Sequence, residues 1–530
     1  MSQHRDDVSP VVSAVLDAYQ QGQEDESLEP IVAADSAKNP LGRMADQEYV
    51  IFYDIRGERE IQITQSLTER GFTEFPVASG TQLKFVTMIE YSSDLPVKVA
   101  FPPESEVKNT LVEVLSRSDW KVTKFAESEK AIHVAYFLNG KNENPFPHEE
   151  RIVVPSPEGF STFAEKPEMS AAQVADGVIE RLQRPGKEVI IANLANVDVV
   201  GHTEDKKAII QAVETVDKQL GRLVSCCRQN GITILITADH GTVEEWLYPD
   251  GQINTGHTSN PVPFILADFS QKNDIPVDAE GELTGVAPTV LELLGLNKPE
   301  EMNGRSLLSG PAGSFDKREK LLLLILDGWG LKDASKGNLI AEADTPHFDE
   351  IWDQFPHSHL KASGEAVGMP PGTVGNSESG HLHLGAGRRV FLDRVRIDRA
   401  IADGKFFQND AFIWAMEGAK RDNKPLHLLG IVSHYSSHGT IDHLFALLQM
   451  ARDRGVKDVY IHSLIGRRGE KPESGAAYVE KVEQKCSDLK TGQVVTVMGR
   501  FWALDREENW DRVEKAYRAL VEGRGLRVIV

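Results

Sequence analysis

The sequence predicts an α/β protein built on a doubly wound, largely parallel sheet. From about residue 106 onward, short apolar runs alternate with amphipathic stretches, the pattern of parallel strands joined by crossover helices. The run 188–191 (Glu-Val-Ile-Ile) reads as a buried strand. Ile209, Val213, Val216, Leu220 and Leu223 then recur at steps of four and three, one face of a helix whose stripe is core packing rather than a cofactor box. The run 232–237 follows as the next strand, and 321–326 (Leu-Leu-Leu-Leu-Ile-Leu) is a third, running straight into Asp327-Gly328. All three runs end in polar residues: Asn196, Asp198 and His202 after the first, Asp239-His240 after the second, Asp327 after the third. Ligands collect beyond the carboxyl ends of strands in open α/β sheets, so these endings are expected to share one site. The Gly-, Pro- and Ser-containing stretch around 308–317 reads as a linker, and residues 20–47 as a polar, irregular surface segment.

A chain of 530 residues allows roughly two to four domains. Its 40% hydrophobic and 26% charged residues exclude the disordered class. A formal charge of −22 opposes nucleic acid and anionic membranes, which are bound by neutralising phosphates, so an anionic substrate requires a local basic pocket. Three cysteines, two of them the adjacent Cys226 and Cys227, form neither a disulfide framework nor a zinc spacing, which points to a reducing compartment and a cytoplasmic location. The first residues lack the apolar core of a signal peptide, and the run 321–326 is far shorter than the ~20 residues a membrane helix needs.

Asp198-x-x-x-His202 sets a carboxylate and an imidazole one helical turn apart, near enough to share a metal ion. Asp239-His240 at a strand end, His257 and Asp327 extend the set, whose mixed oxygen and nitrogen donors suit manganese or zinc better than calcium or magnesium. In Gly375-Asn376-Ser377-Glu378-Ser379-Gly380-His381, Ser377 lies ahead of a predicted helix, where it is either an N-cap or a nucleophile activated by a metal; local sequence leaves both open. Arg56 and Arg59 on one turn, with Lys130, Arg468, Arg500 and Arg506, are candidates for an anion clamp.

Together these segments resemble the cofactor-independent (2,3-bisphosphoglycerate-independent) phosphoglycerate mutases of the alkaline phosphatase superfamily. Leu326-Asp327-Gly328-Trp329-Gly330 is similar to that family's opening strand and metal aspartate, and GNSESGHLHLGAG from Gly375 to its nucleophile segment. Asn196-x-Asp198-x-x-Gly201-His202, Ala238-Asp239-His240-Gly241 and His257-Thr258 match its remaining metal blocks, while His438, Gly499-Arg500, Leu504-Asp505-Arg506, Ile55-Arg56-Gly57-Glu58-Arg59 and Lys130 match its substrate-handling positions. The block order is exchanged relative to the family: its finishing half occupies residues 1 to about 308 and its opening half about 321 to 530. The resemblance therefore implies a circular permutation joined through the linker at 309–320. The expected architecture is an alkaline-phosphatase-like domain at 106–392 plus a second, discontinuous α/β transferase domain from 1–105 and 393–530.

The resemblance further implies two divalent metal ions, manganese first with zinc or cobalt as alternatives, and no bisphosphoglycerate cofactor. One ion falls to Asp198, His202 and His257, the other to Asp327, Ser377, Asp239 and His240. Ser377 becomes the phosphoryl acceptor, Lys130 and His438 its catalytic partners, and Arg56, Arg59, Arg468, Arg500 and Arg506 the substrate anchors. A monomer acting on a small phosphoglycerate, with no nucleic-acid or membrane partner, is expected. The pattern departs from the family at Gly469, where an aspartate is usual, at Gly439-Thr440 and at His434. A mutase or phosphatase for another small phosphate ester is accordingly the alternative reading. A non-catalytic binding module would have lost a metal ligand or the serine, and none is lost.

Overall fold

The computed structural model describes residues 8–78, 80–103, 107–248, 250–270, 275–310, 317–434, 436, 438–466 and 473–530. The chain divides into two compact units, Met1–Pro103 with Asp393–Val530, and Glu104–Leu392. Each is built on its own eight-stranded sheet with its own apolar core.

In the unit Glu104–Leu392, Lys320–Leu326 is the centre of the sheet, paired in parallel with Glu188–Leu194 on one side and Thr233–Thr237 on the other. Leu321 to Leu326 are all fully buried, which explains the unbroken apolar run: both faces of a central parallel strand are covered by helices. Lys121–Glu127 pairs in parallel beyond Glu188–Leu194, with Glu149–Val154 at that edge. On the other side Val262–Asp268 runs antiparallel, followed by His357–Lys361 and Glu280–Glu282. The helix Lys206–Asn230 buries Ile209, Val213, Val216, Leu220 and Leu223, capped by Asp205 at its start and by Gly231 in the left-handed conformation (φ 64°) at its end.

In the other unit the sheet order is Leu526–Ile529, Ile31–Ala34, Gln493–Gly499, Val459–Ile465, Leu426–Ile431, Tyr49–Phe52, Lys84–Ile89, Lys98–Phe101. The last six are mutually parallel, and Ile31–Ala34 is antiparallel to Gln493–Gly499. This corrects the expectation that 20–47 is irregular surface: Ile31 to Ala34 form an almost wholly buried strand, too short and too closely flanked by polar residues to stand out by periodicity. Of the expected linker, residues 311–316 lie outside the described residues. Among the described residues no helix is long and apolar enough to cross a membrane.

Candidate functional site

The site in Glu104–Leu392 follows from strand register. Leu326 lies opposite Leu194 and Ile325 opposite Thr237, so three parallel strands end at one level and release Asp327, the 196–202 turn and Asp239-His240 side by side. Backbone bonds lock them together: the Asp327 amide donates to the Leu194 carbonyl at 3.1 Å and the Asp198 amide to the Asp327 carbonyl at 3.1 Å. Gly328 makes this possible, because at φ 83° a side chain there would sit 2.8 Å from the Asp198 nitrogen. Lys130 arrives from the turn Ser128–Lys130 at the end of the neighbouring strand.

Ser377 is the first residue of the helix Ser377–Ala386, but the capping side chain belongs to Asn376, which accepts from the Ser379 amide at 2.8 Å. The capping alternative for Ser377 is thereby corrected, and its hydroxyl points to chemistry instead. Lys130 Nζ donates to Ser377 Oγ at 2.7 Å, and His240 Nε2 lies 2.9 Å from the same oxygen. The same ammonium reaches Asp198 Oδ2 at 2.6 Å and Asp327 Oδ1 at 2.8 Å. Burial works against its charge, yet the carboxylates of Asp327, Asp198 and Asp239 outweigh it and hold the lysine above its ordinary pKa.

Three buried carboxylates, Asp198, Asp239 and Asp327, thus face one ammonium, and Asp239 Oδ2 has no hydrogen-bond donor. Such an excess of buried negative charge is tolerated where cations are bound. Donor geometry agrees. Asp198 Oδ1 to His202 Nε2, Asp198 Oδ1 to His257 Nε2, and His257 Nε2 to His202 Nε2 measure 3.3, 3.2 and 3.2 Å. Ligands about 2.0–2.1 Å from one tetrahedral centre stand roughly 3.3–3.4 Å apart. Each imidazole is set by a backbone carbonyl on its other nitrogen: His202 Nδ1 on Thr255 at 2.7 Å, His257 on Gly375 at 2.8 Å, His240 on Gly241 at 3.2 Å. A carbonyl only accepts, so Nδ1 carries the proton and Nε2 presents a lone pair to the site.

His240 lies between two groups, its Nε2 3.6 Å from Asp198 Oδ1, 3.5 Å from Asp239 Oδ2 and 3.8 Å from Asp327 Oδ1. In this unit, among the described residues, two donor sets are tight enough to hold a metal: Asp198, His240 and His257, and Asp239, Asp327 and His381. His381 was missed in the sequence. Its Nδ1 is 3.2 Å from Asp239 Oδ2, and Asn193 Nδ2 reaches both His381 Nε2 at 3.0 Å and Asp327 Oδ2 at 2.7 Å. The available signal was its place four residues after Ser377, on the same helix face.

The other unit repeats the logic with opposite charge. Its parallel strands Tyr49–Phe52, Leu426–Ile431 and Gln493–Gly499 lead into Arg56, His438 and Arg500 respectively. Arg59 is held below its ordinary pKa by burial and then by the charges of Arg506, Arg500 and Arg56, so four guanidiniums gather. Glu58 ties two of them, Arg56 Nε at 2.8 Å and Arg506 Nη1 at 3.1 Å. Arg500 Nε is buried without an acceptor. Such a cluster has the chemistry to bind an anion. Arg468 and Gly469 lie outside the described residues.

A family model described as the metalloenzyme superfamily matches residues 9–298, more than half of the chain. The chain belongs to the metalloenzyme superfamily. As a member, with the donor sets above, it is a divalent-metal-binding protein. A second model, described as the N-terminus of BPG-independent PGAM, matches residues 397–528. Similar curated proteins include 2,3-bisphosphoglycerate-independent phosphoglycerate mutase 1 of Methanosarcina acetivorans, 41% identical over 297 residues (56% of this chain, 57% of that one). The 2,3-bisphosphoglycerate-independent phosphoglycerate mutase of Moorella thermoacetica is 41% identical over 296 residues (56% of each). That of Myxococcus xanthus is 48% identical over 206 residues (39% of this chain, 40% of that one). The chain spans about half the length of the curated relatives it matches. A crystal structure of Leishmania mexicana phosphoglycerate mutase at low cobalt concentration aligns with TM-score 0.37 and 28% identity, covering 52% of this chain and 53% of that one.

Proposed function

We propose that this protein interconverts 3-phosphoglycerate and 2-phosphoglycerate through a phosphoserine on Ser377, without 2,3-bisphosphoglycerate, using two divalent cations of which manganese is the first choice. The observation that carries this reading is one hydroxyl, Ser377 Oγ, held 2.7 Å from Lys130 Nζ and 2.9 Å from His240 Nε2 among three buried carboxylates. Asp198, His202 and His257 would hold one cation; Asp239, Asp327, His240 and Ser377 the other, with His381 beside them. When bound, the cations supply the positive charge that lowers a hydroxyl's pKa and screens a phosphoryl group.

Ser377 Oγ, its proton given up to water, bonds to phosphorus as the phosphorus–oxygen bond to glycerate breaks and the departing glycerate oxygen takes up a proton. Lys130 offsets charge on the phosphoryl oxygens. Glycerate then takes the phosphoryl group back on its other hydroxyl, freeing Ser377. Arg56, Arg59, Arg500 and Arg506, with Arg468, bind the substrate's anionic groups, and His438 exchanges the proton of a glycerate hydroxyl. Burial, followed by Arg500, Arg56 and Arg59 and against the Asp54 carboxylate, pushes His438 down to about 4, so its imidazole is neutral near pH 7.

Residues 106–392 on this reading are the phosphatase-like unit, and 1–105 with 393–530 the transferase-like unit. A circular permutation is supported by the order of the family matches, since a model of a mutase N-terminus falls at 397–528, after the match at 9–298. A cytoplasmic monomer fits the charge and cysteine content. The test is an enolase-coupled assay with manganese and no bisphosphoglycerate. Formation of 2-phosphoglycerate from 3-phosphoglycerate is expected; release of inorganic phosphate alone would make the protein a phosphatase, and no turnover with manganese, cobalt or zinc would sink the reading.

A further inference from the structure

Behind His438 lies a pair of acids that the mechanism above leaves unused. Glu60 belongs to the helix Gly57–Thr68 and Asp54 follows the strand Tyr49–Phe52; both are fully buried, and His438 is 1% exposed. His438 Nδ1 lies 2.6 Å from Glu60 Oε1. Glu60 Oε2 accepts from the Arg59 amide at 3.1 Å, which orients the carboxylate. Asp54 Oδ1 accepts from the Ile431 amide at 2.7 Å, while its Oδ2 has no donor. The three side chains converge, with one oxygen or nitrogen of each within 4.8 Å of the others.

We propose that Glu60, with Asp54 behind it, is a positioning residue that holds the His438 imidazole with its proton on Nδ1 and its Nε2 lone pair available to a substrate hydroxyl; this rests on the mutase reading above. Among the described residues no hydrogen bond is made to Nε2, so the bond to Glu60 alone decides which nitrogen is bare. A cation shared by the three groups fits less well: two ligands about 2.0–2.2 Å from one ion stand roughly 2.9–3.6 Å apart, whereas 2.6 Å is a direct hydrogen bond. Two adjacent buried carboxylates do not both ionise. Burial raises Asp54 well above the carboxylate range, followed by the charge of Glu60, and burial raises Glu60 to about 8 against the pull of the Arg59 amide and the charges of Arg56 and Arg59. Asp54 favours protonation of the imidazole and Arg500, Arg56 and Arg59 oppose it, while the one hydrogen bond to a ring nitrogen among the described residues is that to Glu60.

The test uses the full-length, metal-loaded enzyme and two readouts. In a histidine-nitrogen NMR spectrum, with the His438 signal assigned from its loss in His438→Asn, the wild type should show the proton on Nδ1. In the mutase assay Glu60→Gln, whose amide oxygen still accepts from Nδ1, should lower kcat about tenfold, and Glu60→Ala about a hundredfold, with KM moving no more than about threefold. Glu60→Ala should also mix the two tautomers; should that variant not fold, Glu60→Gln and Asp54→Asn carry the comparison. A wild-type proton on Nε2, an unchanged kcat in Glu60→Ala, or loss of one bound metal per chain in Glu60→Gln would each overturn the proposal. A wild type with the Nδ1 tautomer but no mutase turnover would instead refute the mutase reading and leave the positioning role standing.

Discussion

The two units place opposite charges at equivalent places. At the strand ends of Glu104–Leu392, Asp198, Asp239 and Asp327 with His202, His240, His257 and His381 crowd around one ammonium, that of Lys130. At the strand ends of the other unit, Arg56, Arg59, Arg500 and Arg506 gather near the imidazole of His438. The parallel frame only delivers loop residues to a common level; which ion they attract is decided by the two or three residues that follow each strand. One cluster concentrates negative charge and the other positive, and each contrast is open to measurement.

The largest expected effect falls on the hydroxyl. Ser377→Ala should reduce mutase turnover at least about 10³-fold, and because Asn376 rather than Ser377 caps the helix, no cap is lost with it. Steady-state rates decide this, urea unfolding reporting separately the loss of the buried bonds from Lys130 and to His240, about 1–3 kcal/mol; substantial residual turnover would transfer the nucleophile's role elsewhere.

Next comes the ammonium. Lys130→Met removes the ammonium bonded to both Asp198 and Asp327, so in the presence of a chelator it should cost about 3–5 kcal/mol. With manganese in excess the loss should shrink, since the ions replace the missing charge. Equal losses with and without metal would mean that the carboxylates hold no cation.

How much of this was legible beforehand depends on how loudly each element speaks in sequence. The strand ending in Asp327 announces itself because a central parallel strand is apolar on both faces, and the endings of 188–194 and 233–237 follow the same rule. Ile31–Ala34 obeys it too, but over four residues closed by Pro30 and Asp35 it resembles a loop. Strand-end residues could be picked out in advance, whereas Glu60 could not and His381 only by its spacing from Ser377: both lie inside helices, and the packing of those helices against another segment reveals what they face. Ser377 shows the converse, since a serine at a helix start has a bland local role that only the neighbouring Asn376 removes.

In the basic cluster the sign should reverse. Arg59→Gln relieves repulsion among guanidiniums, so stability should hold within about 0.5 kcal/mol, while KM for phosphoglycerate rises about 10–100-fold. A drop in stability like that of Lys130→Met, or an unchanged KM, would show that the arginines are structural and not an anion site.

The smallest effect separates the interiors of the two sheets. The central strand Lys320–Leu326 is apolar throughout its buried length, but the other sheet threads a polar chain across neighbouring strands: His427 Nε2 lies 2.9 Å from Glu48 Oε2, His427 Nδ1 3.0 Å from His462 Nε2, and His462 Nδ1 3.1 Å from Thr496 Oγ1. Burial, and then His427, hold His462 well below the ordinary imidazole pKa. A depressed group means that the unfolded chain binds a proton near pH 6.5 while the folded one does not, so its contribution is complete above that pH and is lost as the pH falls. By pH 5 the cost from this one residue should approach about 2 kcal/mol. His462→Gln should therefore flatten the fall in stability between pH 7 and 5 relative to the wild type, even if it is less stable at pH 7. Parallel slopes for the two proteins in urea unfolding would mean that His462 takes up its proton inside the folded sheet, and the acid sensitivity would then have to come from the strand-end clusters instead.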